Sequence, residues 1–191
     1  MISPERFATL WMLAISCMVA PAAWPGLLAK VEAGTPAQRS EPARAAHWRP
    51  ASEKELAKII PERAPVISER IETELRTASA VVDGRGHSIA AAVLITAGYS
   101  ANGKYSIFLA TGVPLRIGGH DFAEGRYLLG WTRGADELEV TLSDAMNGNA
   151  LVTVPAKKSS TLHRVEPVHI WPPQDRSAIQ LGRFMIPYTI L

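Results

Sequence analysis

Five histidines, one cysteine and eighteen carboxylates are what this 191-residue chain offers for chemistry, and few of them stand where chemistry needs them. His120-Asp121 follows Gly118-Gly119, in the kind of loop where functional side chains concentrate. A base beside an acid would suit hydrolysis, but a Ser-His-Asp set also needs a positioned nucleophile and an oxyanion hole. The chain has no Gly-x-Ser-x-Gly elbow to supply them. His163 and His169 share parity, so a strand would turn both to one face. Six residues at about 3.3 Å each put them roughly 20 Å apart, too far for one ion unless the strand breaks, as it could at Pro167. His169 and Trp171 point away from Val168 and Ile170, and Pro172-Pro173 follows. An exposed indole on a sheet is a surface on which a pyranose ring stacks; an indole that covers the end of a core is the bland alternative. His120, Asp121, His169 and Trp171 are therefore the ligand-contact candidates. The sequence points to no catalytic residue, no metal ligand set and no cofactor.

The elements that must position these residues read as α+β, predominantly β. Ser52-Glu53-Lys54-Glu55 fits a capping box, followed by Leu56, Ile59 and Ile60 as one apolar stripe, with Pro61 as the stop. A second helix is expected from Pro65, since Ile67, Ile71, Leu75 and Ala78 recur at spacings of 4, 4 and 3. The acids between them, Glu69, Glu72 and Glu74, then read as a solvated outer face. Asp83-Gly84-Arg85-Gly86 ends this helical segment, placed at residues 52–86.

From about Ser88 the apolar period becomes 2. Runs at 91–99 and 104–111 flank Ser100-Ala101-Asn102-Gly103, and Asn-Gly between β-prone runs is a hairpin signal. The Ala-rich residues 89–93 could instead prolong a helix. Tyr105, Ile107 and Leu109 alternate, as do Val113, Leu115 and Ile117, then Tyr127, Leu129 and Trp131, then Leu138, Val140 and Leu142. Segments 151–154, 165–171, 179–181 and 184–190 continue the series. Eight or nine short strands, with turns every 8 to 12 residues, predict an antiparallel β-sandwich or small barrel over residues 87–191, forming one folded unit with the N-terminal helical segment. Pro167 and Pro187 belong at edges or bulges, because proline cannot donate to a ladder.

Ahead of this unit, residues 7–23 carry no charge and follow Arg6, and Ala20-Pro21-Ala22 supplies a small-x-small pattern. The apolar core before Pro21, about 14 residues, has signal-peptide length and is shorter than the roughly 20 of a membrane span. Residues 1–22 are expected to be a signal peptide, and the mature chain is expected to be periplasmic or extracellular with no membrane span. Cys17 would leave with it. A lipidated cysteine is the other reading, but Ala14-Ile15-Ser16-Cys17 lacks the leucine three positions earlier. Residues 23–51, rich in Ala, Pro and Arg, read as a flexible linker, with His47-Trp48 as the point where it first touches the domain. Strands of mostly 5 to 8 residues do not match an outer-membrane barrel, which needs about 9 to 11.

Charge narrows the partners. The net formal charge is +2, and residues 81–191 hold 10 Lys+Arg against 9 Asp+Glu, so no field favours a phosphate backbone and nucleic acid is not expected. A single cysteine rules out an internal disulfide framework and multi-cysteine metal sites. Oligomeric state is left open.

One stretch carries a resemblance. Gly103-Lys104-Tyr105, Phe108-Leu109, Thr111, Val113-Pro114-Leu115 and Ile117-Gly118-Gly119, followed by Phe122, Gly125 and Tyr127, resembles a family of small exported bacterial proteins of unknown function. The resemblance spans roughly residues 52–190. It implies a signal peptide, a short helical segment and a β-rich domain, and implies no activity; Pro187 departs from it by interrupting a strand expected to be regular. The functional expectation is a non-enzymatic binding or envelope-associated module for a glycan or a protein partner. The alternatives are a hydrolase around His120 and Asp121, and a structural protein whose strand edges pair with another subunit.

Overall fold

The computed structural model describes residues 47–95 and 104–191. The expected signal peptide, Cys17, most of the expected linker and the Asn102-Gly103 turn lie outside the described residues.

The fold is predominantly β, as expected: the described residues form antiparallel strands and one short helix. In chain order the elements are β1 (Arg49–Pro50), α1 (Glu53–Ile59), β2 (Arg63–Val66), β3 (Glu69–Val82), β4 (Ser88–Leu94), β5 (Ile107–Thr111), β6 (Leu115–Ile117) and β7 (His120–Phe122). There follow β8 (Gly125–Arg133), β9 (Glu137–Asp144), β10 (Ala150–Lys158), β11 (Glu166–Ile170), β12 (Ala178–Gly182) and β13 (Phe184–Ile190). One sheet runs β1-β3-β4-β5-β8-β9-β10-β13-β12-β11 and curls into a half-barrel. Its last strand packs beside β3 and β4. There the Ile170 amide donates to Ser79 Oγ at 2.9 Å, across a seam between β11 and β3.

The capping box holds. Glu55 accepts from the Ser52 amide and the Ser52 hydroxyl, both at 2.8 Å, and from Arg49 at 2.7 and 2.9 Å, which ties α1 to β1. Residues 47–51, read as linker, belong to the fold instead, because Trp48 is 5% exposed and sits in the core.

The second helix is the main correction. Residues 63–82 form β2 and β3, joined at Ile67, whose φ of 60° no helix accommodates. The misreading has a physical cause: Ile67, Ile71 and Leu75 are four apart, and four is also an even number, so the same spacing lines one face of a strand. Burial decides between them. Ile71 and Thr73 are both buried, whereas Ile67 and Leu75 are exposed. Thr73 fixes the strand by bonding Pro61 and Glu62 carbonyls. The alanines 90–92, which could have prolonged a helix, lie in β4 and are fully buried on both faces. Ala91 faces the barrel interior, and Ala90 and Ala92 face a second cluster, which Ile60, Leu56, Ala64 and Val66 cover from outside. Tyr105 also parts from Ile107 and Leu109: it precedes β5 and joins the outer cluster.

The prolines sit where they do least harm. Pro167 lies in β11, the last strand of the path, beside a register shift. Pro187 lies where β13 leaves β10 (Met185↔Lys157) and takes up β6 (Tyr188↔Ile117), so β13 remains regular.

Candidate functional site

The outer face of β11 and β12 carries the most densely connected polar cluster among the described residues. Strand parity places it there: Val168, Ile170, Ile179 and Leu181 turn inward to the core, leaving His169 and Gln180 to turn out. Two connections then fold over this face. Pro172-Pro173 starts a tight reversal in which the Pro172 carbonyl accepts from the amides of Asp175, Arg176 and Ser177. That turn brings the Arg176 guanidinium over the Trp171 ring, 4.6 Å from its centroid. Arg176 also donates to Thr161 Oγ1 at 3.3 Å, so the segment 159–165 is drawn to the same place.

Gln180 organises the floor. It is 1% exposed, and its amide is fully engaged: Oε1 accepts from Trp171 Nε1 at 3.0 Å, and Nε2 donates to the Arg164 carbonyl at 3.0 Å and the Gly182 carbonyl at 2.9 Å. A buried amide with both ends satisfied fixes the indole and the 164 backbone together. His169 meets the Trp171 edge at 4.8 Å and 63°, and its Nδ1 lies 2.9 Å from Glu166 Oε2. Arg164 Nε is 3.2 Å from the other Glu166 oxygen. The result is a cavity of about 190 Å³ with His163, Arg164, His169 and Arg176 on its wall against one carboxylate, Glu166. A second hollow, about 280 Å³, follows the seam between β3 (Arg76–Ala80) and β11 and shares Arg164, Glu166 and His169 with the first.

His169 and Trp171 thus come together, but not as an open platform. One face of the indole carries a guanidinium, its edge meets an imidazole and its N–H is spent on Gln180, so Trp171 is a wall of a basic pocket. His163 and His169 do line one cavity, because the chain leaves β10 at Lys158 and re-enters the sheet only at Glu166. Among the described residues no three metal-ligating side chains converge. His120 and Asp121 lie elsewhere, exposed on β7. Asp121 accepts both Arg116 donors, at 2.5 and 2.9 Å, and the Arg116 hydrogen bond holds its carboxyl below the usual range.

Arg164, Glu166, Arg176 and Gln180 escaped the sequence reading. The signals were a polar residue inside the apolar run Ile179-Gln180-Leu181 and an arginine three residues past Pro172-Pro173. No helix among the described residues is long and apolar enough to cross a membrane. No family model, curated protein or solved structure matches the chain.

Proposed function

We propose that the chain is an exported, non-enzymatic binding module, akin to the small exported bacterial proteins it resembles, and that its ligand is an acidic glycan held in the Trp171 pocket. The observation that carries this is the pocket's composition: two guanidiniums and two imidazoles against a single carboxylate, around an indole fixed in place by a buried glutamine. A carboxylate or sulfate on a sugar would meet Arg176, which has five N–H donors in a planar fork and spends one on Thr161. The sugar ring would pack on Leu162 and on the part of the indole that Arg176 and His169 leave uncovered. The shared wall at Arg164, Glu166 and His169 lets a longer chain continue into the seam. Export is supported by the uncharged run after Arg6 and by Ala20-Pro21-Ala22.

The test is calorimetric titration of the full chain with uronic-acid oligosaccharides and with neutral oligosaccharides of equal length. Saturable binding of the acidic series alone is expected, weakening with added salt and at least tenfold weaker in Arg176→Ala. Equal binding of both series, or none, overturns the reading. Recovery of the protein from the cytoplasm alone, with its N-terminus still at Met1, would sink the export half.

A further inference from the structure

Among the described residues, the half-barrel is filled at one end and open at the other. At the open end a cavity of about 360 Å³ lies among Val93 (β4), Trp131 and Arg133 (β8), Leu138 (β9), Leu181 (β12) and Phe184 (β13). Leu138 and Leu181 are buried and form its floor, while Val93, Trp131 and Phe184 are half-buried and form its walls. Arg133 is the charged group lining it. Volume and lining match the lower end of small-molecule sites, about 300–1,000 Å³ and mostly apolar, which favour the mouths of β-barrels.

Strand register tells what stands around the rim. Arg133 pairs with Leu138, Leu138 with Ala156 and Phe184 with Lys158, so Arg133, Lys157, Lys158 and Arg183 gather at this end with Asp136, Glu137 and Glu166. Arg133, Lys157, Lys158 and Arg183 are all exposed. An apolar slot between two aromatics with a cation at its lip fits a molecule that is apolar along its length and negative at one end.

We infer that the mouth of the half-barrel binds a free single-chain amphiphile with an anionic head, its chain between Trp131 and Phe184 and its head at Arg133. This site lies on the inner side of β11 and β12, opposite the Trp171 pocket, because Leu181 lines one and Gln180 the other. The two sites are therefore separable by mutation.

Dodecanoate, kept below its micellar concentration, is the probe, with dodecanol as the uncharged control and anionic phospholipid vesicles as a third arm, all against the full chain. The expected result is saturable 1:1 binding of dodecanoate, at least tenfold weaker in both Trp131→Ala and Phe184→Ala. Arg133→Gln, an exposed change that leaves the core intact, should weaken dodecanoate at least threefold and leave dodecanol unchanged. Absence of saturable dodecanoate binding overturns the inference. So does binding confined to vesicles, which would make the mouth a membrane contact, or a dimer in solution that Phe184→Ala dissociates, which would make it a subunit interface. Arg176→Ala should leave dodecanoate binding untouched, so the failure of one site does not carry the other with it.

Discussion

The two ends of the half-barrel are made of the same kind of strand and finished differently. At the end bearing Thr111, Gly125 and Tyr188, the β6–β7 hairpin folds in as a plug: Leu115 and Ile117 are at most 1% exposed, and Phe122 meets Tyr127 edge to face at 5.4 Å. Trp48 and Val113 complete it, and Tyr188 donates to the Trp171 carbonyl at 2.6 Å. At the other end nothing comparable is seen among the described residues, and Trp131, Phe184 and Val93 remain half-buried around a cavity. Buried, interlocked aromatics at the plug serve stability, whereas half-buried aromatics at the mouth are available to a ligand. Mutations should therefore separate: changes at the plug cost folding free energy, and changes at the mouth cost binding.

The largest expected effect is at the plug. Leu115→Ala removes a fully buried side chain and should destabilise by about 2–5 kcal/mol. Gly118→Ala should cost about 2–4 kcal/mol, from a φ of +58° and from a Cβ that would collide with the Val154 side chain. Chemical denaturation of each variant measures both. If either unfolds at the wild-type midpoint, the plug is not the structural end. Phe184→Ala, at the mouth, should cost less than about 2 kcal/mol, since part of its surface is already in water.

The plug end also carries a pH-sensitive contact. Asp83, in the β3–β4 turn, has a side chain only 2% exposed. Burial pushes its carboxyl up, but the His87 ring and the amides of His87 and Arg85 donate to it and together hold it below the ordinary value. A lowered folded pKa means stability that is present above the unfolded value of about 3.9 and is lost as pH falls through the folded one. Asp83→Ala should destabilise by about 1–3 kcal/mol at neutral pH. Its melting gap from wild type should narrow steadily on acidification below pH 4. A gap independent of pH would mean that the carboxylate charge contributes nothing.

How much of this was legible follows the same division. Half of the plug could be read, because Val113, Leu115 and Ile117 alternate cleanly and Gly118-Gly119 marks a turn, but His120-Asp121, read as loop, lies in β7. The mouth could not be read, since Val93, Trp131, Leu138, Leu181 and Phe184 come from five strands and look like ordinary core residues until the sheet curls. The Trp171 pocket was half legible. His169 and Trp171 stood out by type and parity, but Arg176 joins them only through the Pro172 reversal and Arg164 only through the Gln180 amide. Between them, β3 was misread because spacings of four satisfy helix and strand alike.

The smallest effect is expected where the sequence first suggested chemistry. His120 and Asp121 stand on the outside of the plug, and Asp121 is committed to Arg116 in an exposed bidentate pair. Exposed pairs of this kind contribute little, because water and salt screen them and ordering two side chains offsets the attraction. Asp121→Ala should leave the unfolding midpoint unchanged, and it should leave both acidic-glycan and dodecanoate binding unchanged as well. Turnover of a generic ester or glycoside panel by the wild-type chain, lost in Asp121→Ala, would contradict this and restore the hydrolase alternative. The physical argument against that outcome is specific: a carboxylate already bonded through both oxygens to a guanidinium stays ionised and outward. It cannot at the same time orient His120 for proton transfer without first breaking the pair.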